Sequence, residues 1–194
     1  MSILGIISVA LGALLSDNIV FAHYLGIAPF VSKTESLKSA LVTGISITLM
    51  TGICTIATSI LENLVLVPFD IIYLRSVAYV VVVAMSVTVL SAAFKKYAKR
   101  LKDIPLSLPL VFSNSAVLGV CLFAAKSGYN LLEAVFYGIF AGVGFTLSAM
   151  LFAAVRERLK YSKVPKFFEG IPIILITAGL ISLAFMGFDG MKFI

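Results

Sequence analysis

Residues 131–154 read LLEAVFYGIFAGVGFTLSAMLFAA, and after Glu133 no charged side chain interrupts the run until Arg156. A stretch of that length suffices to cross the hydrocarbon core of a bilayer as a helix, which takes roughly 20 apolar residues. Working outward from it, five further apolar runs place spans at 3–25, 37–61, 71–94, 106–125 and 171–188. The links between them are short and polar. The reading is an all-α integral membrane protein of six transmembrane helices, with 1–194 forming a single transmembrane domain.

Composition excludes the main alternative. The chain is 61% hydrophobic and only 12% charged, with a mean hydropathy of +1.12, whereas soluble domains carry about 25% charged residues. A soluble enzyme is therefore ruled out. Phosphate-cradling glycine loops, HExxH and Ser/His/acid sets are also missing, and there is one histidine, His23. An ordinary catalytic site is not expected, and the chain is not catalytic alone. Cys54 and Cys121 both lie inside apolar runs, where a thiol behaves as a small hydrophobe, so no disulfide framework is indicated. The N-terminal stretch MSILGIISVALGALL lacks a basic start and continues into a longer apolar run. It is read as the first span, not as a cleaved signal peptide.

The net charge of +6 reflects membrane topology and not nucleic-acid binding. Lys33 and Lys38, then Lys95, Lys96, Lys99, Arg100 and Lys102, then Arg156, Arg158, Lys160, Lys163 and Lys166 occupy the links 1–2, 3–4 and 5–6. The opposite face holds Arg75, Lys126 and Lys192. By the positive-inside rule both termini lie outside and the three basic links face the cytoplasm. Arg75 is the odd cation on the outer face, with Asp70 or Glu62 as its expected partner.

The two halves resemble each other weakly. Leu37 to Ile45 can be laid over Leu131 to Ile139, and Asn18 to Phe21 over Ser115 to Leu118. Three spans separate the copies, so the repeat is an inverted 3+3 arrangement. That arrangement places a functional site near the midplane between discontinuous helices, here the first and fourth. Pro29, after Tyr24-Leu25-Gly26-Ile27-Ala28, is expected to break the end of the first span, leaving backbone groups that protein or water must satisfy.

Asp17 is the one carboxylate well inside an apolar run, beside Asn18. An intramembrane acid faces the bundle interior and marks an ion or proton path, which makes Asp17, Asn18 and Asn114 ion-path candidates. The Ser113-Asn114-Ser115 triplet supplies the expected polar neighbours. The alternative is that Asp17 satisfies backbone groups at a helix break. His23 is read either as a proton relay or, more commonly for its position between Phe21 and Tyr24, as a packed interfacial side chain. Small residues at Gly138, Gly142, Gly144 and Ser148, and at Ala178, Gly179, Ser182 and Gly187, allow close helix approach, within the chain or against a partner protein.

Several strings carry a family resemblance: Leu25-Gly26-Ile27-Ala28-Pro29-Phe30, Ile72-Tyr73-Leu74-Arg75, Asn114-Ser115-Ala116-Val117-Leu118-Gly119, Val143-Gly144-Phe145, the run Leu151 to Leu159 and the run Ile176 to Phe188. Across essentially the whole chain they resemble the A-type subunits of Rnf electron-transport complexes and their homologues, the E-type subunits of Nqr. The resemblance implies a component of a bacterial or archaeal cytoplasmic-membrane complex. Such a complex couples electron transfer between ferredoxin and NAD to sodium or proton translocation. It further implies pairing with a homologous chain of opposite topology, of the Rnf E-type or Nqr D-type, and a [2Fe–2S] cluster at the interface with two cysteines from each partner.

The cluster positions depart from that pattern, because Ala28 and Ser115 stand where the family has cysteine. Ala28 offers no donor, and a serine hydroxyl is a poor substitute for the soft thiolate that iron–sulfur clusters select. No cofactor held by this chain's own residues is expected. Flavins and Fe–S clusters on partner subunits would carry the electrons. The resulting functional readings are a core component of an Rnf/Nqr-like redox pump, or else a non-redox permease or assembly scaffold with the same fold.

Overall fold

In the computed structural model, the described residues are 8–27, 37–98 and 114–188. Among them the regular structure is helical throughout. Helix α1 (8–16) ends in a π-helical turn at Gly12–Ser16 and gives way to turns over 17–26. Helix α2 (Leu37–Leu61) continues through a second π-helical turn, Glu62–Leu66. A single turn, Ile72–Leu74, leads into α3 (Arg75–Ala98). There follow α4 (Ser115–Lys126), α5 (Leu131–Leu159) and α6 (Ile171–Phe185), the last extended by a turn at Met186–Phe188.

Four of these stretches are long and apolar enough to cross a membrane: Leu37–Leu66, Ile72–Leu90, Leu131–Leu159 and Ile171–Phe188. At 1.5 Å per residue the first is about 45 Å long, enough for core and headgroups. Helix α4, with 12 residues, is a half-span; the remainder of the expected fourth span, 106–113, lies outside the described residues. The fifth helix runs on to Leu159, so that Arg156 and Arg158 sit in its last turn, where cations complement the helix dipole and anchor the interface.

The first span, expected at 3–25 with a break toward its end, is discontinuous as expected but broken earlier. It breaks at Asp17, well before Pro29, which with Ala28 lies outside the described residues. The cause is local. The Asp17 N–H closes a wide turn onto the Gly12 carbonyl at 2.7 Å, and the Asn18 side chain then accepts from the Val20 and Phe21 N–H groups. A side-chain oxygen thereby replaces the carbonyls a continuing helix would offer.

Helices α2 and α5 form the central pair. A Cβ at Gly138 would fall 2.3 Å from Thr55 Oγ1, and one at Gly142 would fall 2.5 Å from the Thr48 backbone. The small residues of α5 thus let two helices approach almost to backbone contact. Thr51 and Thr55 line the α2 side and return their hydroxyls to carbonyls four residues back. The small face of α5 is therefore covered within the chain. Gly179 on α6, by contrast, has nothing among the described residues within 4 Å of where a Cβ would stand.

Two apolar cores flank this pair. One gathers Ile19, Val20 and Phe21 with Ala116, Phe145 and Phe152. The other gathers Met50, Cys54, Leu66, Tyr79, Val117 and Cys121. Both cysteines are free and fully buried there. Beside this second core Arg75 donates Nε to Glu62 Oε2 at 3.2 Å and a terminal nitrogen to Glu62 Oε1, and Tyr79 adds its hydroxyl at 2.8 Å. Of the two partners expected for Arg75, the fold selects Glu62. Helices α3 and α6 leave most of their apolar surface outward, only 6% and 17% of their spanning windows being buried.

Candidate functional site

The break in α1 gathers several polar side chains inside the bundle. Asn18 is completely buried, and all its polar atoms are used. Its Nδ2 donates to the carbonyls of Leu14 (3.0 Å) and Gly144 (3.2 Å). Its Oδ1 accepts from Val20, Phe21 and the Ser148 hydroxyl, the last at 2.9 Å. Gly144 is required for this approach, since a Cβ there would lie 2.9 Å from the Ala13 carbonyl oxygen. Asn18 thus fastens the broken helix to α5.

Asp17 points the other way. Its Oδ1 lies 2.6 Å from His23 Nε2, and its Oδ2 accepts from the Tyr137 hydroxyl at 3.2 Å. The carboxylate is about half exposed, His23 less so. Both line a cavity of about 360 Å³, together with Ser16, Tyr24, Ser182 and Phe185. The His23 ring also packs on Phe123 of α4, centroids 4.3 Å apart, and Tyr137 packs on Tyr129 at 5.4 Å. Tyr24 takes a positive φ of 55°, and its hydroxyl lies 2.9 Å from Ser182 Oγ, which donates to the Phe21 carbonyl at 2.6 Å. His23 is therefore a packed side chain and the partner of Asp17 at once.

The fourth-helix residues form a separate cluster. The expected neighbours of Asp17, Asn114 and Ser115, meet Gly26 instead; Ser113 lies outside the described residues. Ser115 Oγ accepts the Gly26 N–H at 3.1 Å. Gly26 has φ +82°, and a Cβ there would lie 2.6 Å from the Phe145 ring. Asn114 caps α4 by accepting the Ala116 N–H through Oδ1, while its buried Nδ2 has no hydrogen-bond partner among the described residues. Tyr137 is the neighbour of Asp17 that sequence reasoning missed, because 120 residues separate the two and no local pattern marks it.

This geometry belongs to a chain with extensive relatives. The family described as Rnf-Nqr subunit, membrane protein, matches residues 6–192. The chain belongs to the Rnf-Nqr family. It is 37% identical over 188 residues to the A subunit of the Na(+)-translocating ferredoxin:NAD(+) oxidoreductase complex of Acetobacterium woodii, covering 96% of this chain and 98% of the relative. It is 40% identical over 181 residues to the A subunit of the ion-translocating oxidoreductase complex of Serratia proteamaculans, covering 93% and 94% respectively. The protein of the same name from Azoarcus is 41% identical over 182 residues.

For an Rnf-Nqr chain the residues present do not fit a [2Fe–2S] cluster. The Ser115 hydroxyl is engaged with the Gly26 backbone, and alanine at position 28 carries no donor atom. Cys54 and Cys121 sit buried within the apolar second core. Among the described residues no group of three or more His, Cys, Asp or Glu side chains is placed to hold a metal ion.

Proposed function

We propose that this chain is the A-type membrane component of an Rnf-like complex that couples ferredoxin/NAD-type electron transfer to sodium or proton translocation. The observation that carries the reading is the end-to-end match to relatives named as the A subunits of such complexes, with neither chain left substantially uncovered. In this reading 1–194 is one transmembrane domain in a bacterial or archaeal cytoplasmic membrane, with six spans in inverted 3+3 arrangement and both termini outside. It pairs with a homologous chain of opposite topology, and flavins and Fe–S clusters on other subunits carry the electrons.

Asp17 is the carboxylate of the ion path. Its exposure to the cavity and its two side-chain partners support that role. Asn18 serves the path by holding the break, and Asn114, whose buried amide has no partner among the described residues, is the candidate on the fourth helix. Asp17→Asn is expected to depress ion-coupled transport in proteoliposomes severalfold while the complex still assembles. Unchanged transport would remove Asp17 from the path.

One observation favours a second reading, a non-redox permease or assembly scaffold: the cluster positions hold alanine and a serine committed to a backbone hydrogen bond. Affinity purification of the tagged chain from its native membrane separates the two. Flavoprotein and ferredoxin-like subunits should copurify with a pump component, and their absence would favour the permease or scaffold.

A further inference from the structure

We propose that the crevice between the end of α5 and the start of α6 is a binding site for the headgroup of an anionic phospholipid, whose acyl chains lie down the outward face of α6. The proposal needs these two helices to cross the bilayer and is independent of the ion path at Asp17.

The link between the helices is short and tightly wound. Tyr161 and Ser162 donate their N–H groups to the carbonyls of Arg158 and Leu159, both at 3.1 Å, and Phe168 donates to the Pro165 carbonyl at 2.8 Å. Gly170 then takes φ +83° and, as the N-cap of α6, contributes no side chain. Between these turns and the two helix ends lies a cavity of about 350 Å³, a size that holds a small polar headgroup.

The lining is divided by chemistry. Arg156 in the last turn of α5 and Lys160 at its C-cap both reach the cavity, because a spacing of four places them on one helix face. The Ser162 hydroxyl adds a donor, and Glu169 is the one acid among the described lining residues. The balance is positive and suits a phosphodiester, whose oxygens take an arginine fork and a lysine ammonium as donors. Glu169 is placed to accept the hydroxyl hydrogens of a glycerol headgroup, as in phosphatidylglycerol. The rest of the wall is apolar, with Leu159, Ile173 and Ile174.

That apolar wall decides in favour of a lipid. It continues down α6 into Leu175, Ile176, Leu180 and Leu183, all exposed, on a helix that leaves most of its surface outward. An acidic loop of a partner protein would meet the cations and leave this surface bare, whereas a phospholipid covers both. The link itself carries Lys163 and Lys166 beside Phe167, which is 94% exposed. Cations next to a bare aromatic ring seat a segment in the headgroup layer, and basic pockets between spanning helices bind acidic headgroups.

The test reconstitutes the whole complex in phosphatidylcholine vesicles with a trace of phosphatidylglycerol bearing a photoactivatable diazirine at the top of an acyl chain. Crosslinked peptides are mapped by mass spectrometry. Labelling of residues 159–176 is expected to saturate with the probe and to be displaced by unlabelled phosphatidylglycerol, not by inorganic phosphate. Lys160→Gln and Arg156→Gln each remove one cation from the lining and should lower that labelling about fivefold, so that either variant reports if the other fails to assemble. Lys163→Gln removes the same charge outside the cavity lining and should leave the labelling little changed. Equal losses in Lys160→Gln and Lys163→Gln would overturn the site in favour of diffuse attraction to the membrane surface. Unchanged labelling in both lining variants, or displacement by inorganic phosphate, would overturn it as well. Absence of labelling from the segment would overturn the lipid and leave an acidic partner protein as the occupant. Each of these results leaves the ion path through Asp17 standing.

Discussion

Asn18 holds the break in the first helix with a single side chain, supplying acceptors to two freed N–H groups and to Ser148 and donating to two carbonyls. A buried polar group left without a partner costs about 1–3 kcal/mol. Asn18→Ala, which orphans several, is therefore expected to destabilise the protein by roughly 3 kcal/mol or more, read as a lower unfolding temperature of the detergent-solubilised complex. Asn18→Asp distinguishes a structural role from an ion-ligating one. It keeps the acceptor but turns a carboxylate oxygen toward the Leu14 and Gly144 carbonyls, so it should be nearly as damaging. A variant that is stable and transports ions would make Asn18 a ligand. The neighbouring Asp17 shows how little adjacent positions constrain each other here. Asn18 is sealed against α5, while Asp17 faces the cavity.

Two contacts govern how the helices assemble. At the α2/α5 seam a side chain on Gly142 meets the Thr48 backbone, which cannot rotate away, so Gly142→Leu should force the pair apart and abolish assembly into the complex. Gly179→Leu on the open face of α6 is the matched control and should leave assembly intact; the readout is recovery of the complex from solubilised membranes. The second contact is the clasp of Glu62 with Arg75 and Tyr79, which ties the end of α2 to the start of α3. Both charges are largely shielded, with side chains 14% and 29% exposed. Removing one partner of a buried pair costs several kcal/mol, less where solvent reaches it. Glu62→Gln is expected to lower stability by about 1–3 kcal/mol, checked by the same thermal measurement.

Across the whole molecule, the absence of the two cluster cysteines is a property of an interface and not of this chain alone. A [2Fe–2S] centre takes four ligands, and two positions here supply at most half of them. Combining Ala28→Cys with Ser115→Cys is expected to produce a [2Fe–2S] signal in low-temperature EPR only in a complex whose opposite-topology partner carries its own pair of cysteines. The substitution at 115 also exchanges the hydroxyl acceptor of the Gly26 N–H for a sulfur, a weaker acceptor. A loss of about 1 kcal/mol of stability should accompany it.

The apolar spans at 37–61 and 171–188 were legible from residues alone, because a bilayer imposes a length and a hydrophobicity that no tertiary contact alters. The family was equally legible, since its strings run the length of the chain. Local proximity narrowed the partner of Arg75 to two acids, and packing chose Glu62. A broken first helix was expected, with a break at Asp17 as the alternative to an ion path; which reading the break takes there was hidden, because hydropathy is blind to a side chain that replaces a backbone acceptor. The companions of Asp17 and Ser115 were hidden for a further reason. Tyr137 and Gly26 reach them only when helices distant in sequence pack together, and a pairing across 120 or 89 residues is a product of the assembled bundle, not of any segment within it.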